Sequence, residues 1–591
     1  MKLSTIFLAI PLLLLSCSNS GDDTNMSSIP TDIISSVIKT IAGSGVEIST
    51  DKALYKPGES VGFSIMGSIP AGVKVRYRKG SDVIACENLT SATWKWTAPQ
   101  NDFTGYMVDV YASDGSGTET VYATIGVDVS SDWARFPRYG FVATYDAGKT
   151  PEVVTSEMSF LNRCHINGVQ FYDWHYKHHW PLGGTRGNLL DTYTDIANRE
   201  IRTGVIKDYI SRQHAYGMKS MFYNLCYGSL KDAAQDGVSE KWNMYTNATH
   251  SKKDKLTMSS DWKSDIYMMD PSNKDWQSYI ADRNDDVYAS LDFDGYHIDQ
   301  VGDRGTVYDY YGSNLNLPDG FASFIRAIKA RQPEKRLVMN AVSSFGAAKI
   351  AGTGDVDFLY NELWNTESQF SDLHSVINSN NAYSGGKKNT IFAAYMDYSY
   401  NGEYFNAPGV LMTDAVMFAL GGAHLELGDH MLCHEYFPNK HLKMSDAMKA
   451  AIVKYYDFMT AYQNLLRDGG SETATQLATG NTAVTLNSWP PKLNTITTYS
   501  KAIGNMQVVH LLNFSQANSL SWRDMNADMP EPQQIINLTL RACVSGVKKI
   551  WVASPDNLGG APQALNFQQD GGCVIFTVPS LKYWTMIVIE K

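Results

Sequence analysis

The sequence predicts a central (β/α)8 TIM barrel between an N-terminal immunoglobulin-like β-sandwich and a C-terminal antiparallel β-sandwich. Three observations predict it. Between residues 132 and 466, eight apolar strand-like runs alternate with segments of helical periodicity, as parallel strands joined by right-handed crossovers require. Residues 36–131 and 467–591 show short alternating runs punctuated by Gly, Pro, Asn and Asp, the pattern of antiparallel sheets. No strand is followed by GxGxxG or GxxxxGK(S/T), so the nucleotide-binding open sheets lose support.

The composition agrees with a multidomain globular chain: 591 residues, 43% apolar and 19% charged. A net charge of −11 without Lys/Arg clusters excludes nucleic acid as a partner, because phosphate contacts need clustered cations. A neutral ligand fits better. The 34 Tyr and 13 Trp offer flat apolar faces for sugars, although most such rings belong to the core.

Taken in order, residues 1–17, "MKLSTIFLAIPLLLLSC", have a basic start, an apolar stretch too short to span a bilayer and a small residue before Cys17. The ending "LLSC" resembles a bacterial lipobox, which implies cleavage before Cys17, its lipidation, and a secreted lipoprotein held at the outer membrane or cell surface. No later segment is apolar enough to span a bilayer, so the membrane is a partner only through that lipid. Residues 18–35 read as a flexible tether. In 36–131, "KVRYRK", "ATWKWTA", "YMVDVYAS" and "TVYATIGVDV" belong to about seven short strands.

The barrel strands are expected at "YGFVATYD", "GVQFYDW", "MKSMFYN", "FDGYHID", "RLVMNAV", "VDFLYNE", "TIFAAYMD" and "GGAHLELG". The helix before strand three buries Val205, Ile206, Tyr209 and Ile210, with Thr203 as its cap and Gly217 as its terminator; the helix after strand four buries Phe321, Phe324, Ile325 and Ile328, with Asp319 as its cap. The last domain, 467–591, contains Cys543 and Cys573, whose pairing stays open because isolated buried cysteines are common. Nothing in the chain asks for a cofactor, and a monomer is expected.

Active sites in such barrels lie at the carboxyl ends of the strands. Asp299 closes strand four and Glu362 closes strand six, so the two carboxylates converge on one rim. Glycoside hydrolysis needs such a pair, one to protonate the leaving oxygen and one to attack or to activate water. Leu363 and Trp364 supply the burial that raises the acid's pKa. Other polar strand ends suit sugar binding: Tyr172, Asp173 and Trp174 on strand two, Tyr223 and Asn224 on strand three, Asn340 on strand five, Tyr395 and Asp397 on strand seven, His424 and Glu426 on strand eight. Trp364 is counted with them. His175, His178 and His179 have no spaced carboxylate partner, so no metal is expected.

These motifs, "DGYHIDQVGDRG", "FYDWHYKHHWPL", "YNELWN", "AAYMDY" and "GGAHLELGD…EYFPN", resemble glycoside hydrolase family 66, the dextranases and cycloisomaltooligosaccharide glucanotransferases. The resemblance covers residues 36–591. It implies that Asp299 is the nucleophile, Glu362 the acid/base, α-1,6-glucan (dextran and isomaltooligosaccharides) the substrate, and retention the stereochemical course. Cyclising members carry an extra carbohydrate-binding module in the later half of the barrel. The stretch from Glu362 to Glu426 is too short to hold one beside strand seven, so endo-hydrolysis is expected. Two alternatives are a surface glycan-binding lipoprotein on a hydrolase fold and a glucanotransferase making cyclic products; a glycosidase of other linkage specificity is a third.

Overall fold

A computed structural model of the chain describes residues 39–41, 45–114 and 118–591. The expected signal segment, Cys17 and the tether lie outside the described residues. Among the described residues no helix is long and apolar enough to cross a membrane.

The centre is an eight-stranded parallel sheet whose strands neighbour one another in chain order. They are β1 (Tyr139–Val142), β2 (Gly168–Phe171), β3 (Lys219–Leu225), β4 (Gly295–Asp299), β5 (Arg336–Val342), β6 (Leu359–Glu362), β7 (Thr390–Ala393) and β8 (Ala423–Leu425). The ring closes where Phe141 of β1 bridges Gly428, just past β8, in parallel register. Each strand falls within one of the eight apolar runs, except that β3 extends one residue past its run, to Leu225. Their burial on both faces explains why these runs are continuous rather than alternating.

Each strand is followed by a helix: α1 (Pro151–Arg163), α2 (Thr203–Ala215), α3 (Lys274–Ser290), α4 (Leu317–Arg331), α5 (Ala347–Ala351), α6 (Phe370–Ser384), α7 (Ala407–Leu420) and α8 (Asp446–Ala461), with α9 (Gln463–Leu466) after them. Two helix starts differ from expectation. Helix α4 begins before Asp319, because Pro318 is tolerated in a first turn where its missing N–H is no loss; Asn316 is the cap and accepts from the Asp319 N–H at 3.1 Å. Thr203 is the first residue of α2 rather than its cap, and its hydroxyl donates to the Leu190 carbonyl. Gly217, at φ 75°, ends that helix. The amino-terminal mouth of the barrel is plugged by Trp133, whose ring lies where a Cβ on Gly168 would stand, so only glycine fits there.

The first domain sets a five-stranded sheet against a three-stranded one around Val61, Phe63, Tyr77, Val108 and Val127. Among the described residues eight strands appear where about seven were expected. Two of them carry little sequence signal: the edge strand Asp82–Asn88, exposed along its whole length and so without alternating burial, and Lys39–Ile41, which pairs parallel with the strand Glu119–Val129. The last domain joins a seven-stranded sheet to a four-stranded one around Val509, Leu511, Leu538, Phe576 and Ile587. Cys543 and Cys573 form a disulfide within it. Both flanking domains pack on the barrel and on each other: the Gly126 N–H donates to Asp457 of α8 at 3.1 Å, and the Thr124 hydroxyl donates to the Gly559 carbonyl at 2.6 Å.

Candidate active site

Asp299 is the last residue of β4, half-buried at the carboxyl end of the barrel. Three donors reach its carboxylate: the Tyr223 hydroxyl at 2.7 Å, the Asn340 amide at 2.8 Å and the backbone N–H of Gln300. Burial pushes its pKa up, and these donors oppose that by stabilising the ionised form. Behind it, Gly302 takes φ 78°, which turns the loop away from the rim. Asp303 faces solvent and accepts from the Gly305 N–H in a local turn, outside the site. His297, one residue pair below, stacks between the rings of Tyr139 and Tyr223. Burial pushes its pKa down to about 3, so it is a neutral part of the floor.

Glu362 is the last residue of β6. The Tyr395 hydroxyl donates to one of its oxygens at 2.8 Å and the same Asn340 amide donates to the other, also at 2.8 Å. Burial, then the charge of Asp299, push its pKa up to about 7. One amide nitrogen thus binds both carboxylates, while their surroundings separate them: Asp299 is supplied with donors and Glu362 is left to hold a proton near neutrality. Tyr395→Phe removes a donor that stabilises ionised Glu362, so the acid is expected to stay protonated to higher pH. The alkaline limb of the kcat/KM profile should move up by about one pH unit, since a hydrogen bond to a charged group is worth roughly 1.5 kcal/mol or more. An unmoved limb, or one displaced to lower pH, would show that Tyr395 does not tune the acid.

Both carboxylates open into a cavity of about 480 Å³, also lined by Tyr172, Asp173, Tyr223 and Trp364. Asp173 has φ 49°, is buried, and lies 3.4 Å from Arg199; burial first, with the charges of Asp195 and Asp299, pushes its pKa up to about 7 against the pull of that arginine. The Tyr172 ring stacks on Phe437 with centroids 4.2 Å apart. Sequence reasoning missed Met258 and Trp262, on the long segment between β3 and α3, and Glu435 and Tyr436, beyond β8. Trp262 and Tyr436 meet across the cavity with ring centroids 5.7 Å apart. The available signal was a tryptophan in the polar run "SSDWKSD"; strand ends alone do not reveal it.

Several expected sugar contacts lie elsewhere. Trp174 is fully buried, packs against Phe222 and Phe293, and donates to the Tyr223 carbonyl. The left-handed turn at Asp173 sends it back into the wall, so its ring is a core pillar and not a platform. Asn224 commits its amide to His178, its oxygen accepting from Nδ1 at 2.8 Å and its nitrogen donating to the carbonyl at 2.8 Å, and so fixes that loop. Asp397 is buried outside the cavity, accepts from the Asn406 N–H, and has its pKa pushed up to about 8 by burial. His424 and Glu426 face the helix layer: His424 meets Asp414 of α7 at 2.9 Å, and Glu426 accepts from Tyr456 of α8 at 3.0 Å. They share one face of β8 under the two-residue period, and that face is covered by helices. His179 joins Asp232 and Asp236 in a group with metal-ligand spacing, but Lys177 already pairs with both carboxylates at 2.7 Å.

Comparison with known proteins agrees with this architecture. Residues 50–588 match the family described as Glycosyl hydrolase family 66. A cycloisomaltooligosaccharide glucanotransferase of Niallia circulans is 28% identical over 713 residues, covering 93% of this chain and 72% of that protein. A dextranase of Streptococcus salivarius is 26% identical over 576 residues, covering 85% of this chain and 69% of that protein. The solved structure of a Paenibacillus sp. cycloisomaltooligosaccharide glucanotransferase complexed with cycloisomaltoheptaose matches with a TM-score of 0.83 and 25% identity, over 93% of this chain and 100% of that one. The match spans the sheets on both sides of the barrel as well as the barrel that carries Asp299 and Glu362, and the chain belongs to glycoside hydrolase family 66.

Proposed function

We propose that the chain is an endo-acting, retaining dextranase that cleaves α-1,6-glucosidic bonds of dextran to isomaltooligosaccharides. The observation that carries the reading is the single Asn340 amide lying 2.8 Å from an oxygen of each carboxylate. Those two oxygens are therefore no farther apart than twice that distance. Such a spacing accords with the about 5–5.5 Å of retaining enzymes rather than the about 6.5–9.5 Å that leaves room for an inverting water. Asp299 attacks the anomeric carbon as the bond to the leaving oxygen breaks, and Glu362 gives that oxygen its proton. Glu362 then takes a proton from water, whose oxygen displaces Asp299 from the sugar.

Hydrolysis is favoured over cyclisation by length. The alignment with the Niallia transferase runs over 713 residues, more than the 591 of this chain, so that transferase carries insertions absent here. The alignment with the dextranase, 576 residues over 85% of this chain, carries a smaller excess. Cyclising transfer is the second reading, favoured by the slightly higher identity of 28%. Chromatography of a dextran digest separates them: a ladder of linear isomaltooligosaccharides is expected, and predominantly cyclic products would establish the transferase instead. The signal-like start and the "LLSC" ending support a lipid-anchored, secreted enzyme.

A further inference from the structure

The C-terminal domain reaches the catalytic rim through one segment. Residues 514–534, between the strands Met506–Asn513 and Ile535–Ala542, cross to the barrel and dock on the loops that follow β6 and β7. The Trp522 N–H donates to the Ser368 carbonyl at 3.1 Å, and the Asp397 and Ser399 N–H groups donate to the carbonyls of Arg523 and Met525 at 2.9 and 2.8 Å. The Asn406 amide donates to Asp524 at 2.7 Å, and Gly409 of α7 meets that carboxylate so closely that no Cβ fits between them. The backbone on both sides of Arg523 is therefore fixed to the barrel.

Arg523 is only 2% exposed, and its guanidinium carbon lies 5.0 Å from the ring centroid of Tyr398 and 5.7 Å from that of Trp364. Nη1 donates to the side-chain oxygen of Asn365, next to Trp364, at 3.0 Å; among the described residues Nε and Nη2 have no hydrogen-bond partner. The two rings cluster with Tyr395: the Trp364 centroid is 5.5 Å from that of Tyr395 and 6.3 Å from that of Tyr398. Each ring serves the site. Tyr395 donates to Glu362, Trp364 lines the cavity, and the Tyr398 hydroxyl donates to both oxygens of Glu435, another residue of the cavity wall, at 2.9 and 2.8 Å.

A guanidinium beside aromatic faces is attracted by their quadrupoles, most strongly where water is excluded. We propose that Arg523 is a positioning residue through which the C-terminal domain completes the active site: it holds Trp364 and Tyr398, and so the sugar-facing wall beside Glu362. The inference rests on the glycosidase reading of that site. A planar fork bonds Asn365 and packs against two rings at once, which the point charge of a lysine does not.

The test compares wild type, Arg523→Met, Trp364→Ala and the double variant of the full chain on dextran. Arg523→Met keeps an apolar stem but no cation, and should raise KM about fivefold or more with kcat changed less than about twofold, because Glu362 keeps its own bonds to Asn340 and Tyr395. Where the supported ring is already gone, adding Arg523→Met to Trp364→Ala should raise KM by less than about twofold. An unchanged KM in Arg523→Met, or effects that multiply in the double variant, would overturn the proposal. If Arg523→Met does not fold, Asn365→Ala, which removes only the bond to the guanidinium, should raise KM in the same direction, and an unchanged KM there would equally overturn it. Acrylamide quenching of fluorescence needs no substrate. The Trp364 signal, read as the difference between each protein and its Trp364→Phe counterpart, should be quenched more steeply in Arg523→Met than in wild type. Equal quenching would overturn the role of Arg523 whether or not wild type cleaves dextran. Steeper quenching beside an inactive wild type would support that role and overturn the dextranase reading instead.

Discussion

Glu362→Gln is expected to lower kcat/KM on dextran by about 10²–10⁴ or more, the usual worth of a positioned acid/base. The substitution keeps the shape of the side chain and removes the proton that the leaving oxygen needs. Loss should be greatest where the leaving group is a sugar hydroxyl and smaller in the first step for an activated aryl glycoside, which departs unprotonated. A small anion such as azide, needing no base, should then restore turnover of the aryl substrate. The same residue gives a stability signature. Its pKa is raised to about 7, so its favourable contribution is complete below the ordinary carboxylate range and is lost as pH rises through about 7. Relative to wild type, the non-titrating Gln variant should therefore melt higher at pH 8 than at pH 5. A variant that retains dextran cleavage would remove Glu362 from the acid role.

Asp299→Asn is expected to cost as much, about 10²–10⁴ or more in turnover, with no rescue by activating the leaving group, because the attacking oxygen itself is gone. A second effect follows from the geometry. The charge of Asp299 is, after burial, the largest influence raising Glu362, so its removal should bring the Glu362 pKa down towards the ordinary carboxylate range. Carbon-13 NMR titration of the glutamate carboxyls in wild type and variant reads this directly. An unchanged Glu362 pKa would mean that the two groups are not electrostatically linked, and near-wild-type turnover by Asp299→Asn, with contaminating glycosidase excluded, would end its assignment as nucleophile.

The barrel was legible because its strands are apolar on both faces and its helices carry the longer period, so the two signals alternate without ambiguity from Tyr139 to Leu425. The convergence of Asp299 and Glu362 followed from one rule, that parallel strands in a barrel present their carboxyl ends together. That rule places a residue at a rim but does not say which way it faces. His424 and Glu426 end β8 as anticipated yet point at α7 and α8, and the left-handed residue Asp173 turns Trp174 into the core. Helix starts shifted where Pro318 let α4 begin before its expected cap. The loop residues Trp262, Glu435 and Tyr436 were invisible to strand logic, since they reach the cavity from segments without periodicity. The Cys543–Cys573 bridge depends on which strands pair, which spacing alone leaves open.

The most direct test of the Asp299–Glu362 mechanism is to find the sugar on the enzyme. Glu362→Gln, deprived of the base that activates water, is incubated with a fluorinated α-glucosyl donor bearing an activated leaving group, then digested and analysed by mass spectrometry. The expected result is one glucosyl residue on the peptide that contains Asp299, absent when Asp299→Asn is added. A glucosyl adduct on a different carboxylate, or turnover of the donor with no adduct at all and inverted product, would contradict it.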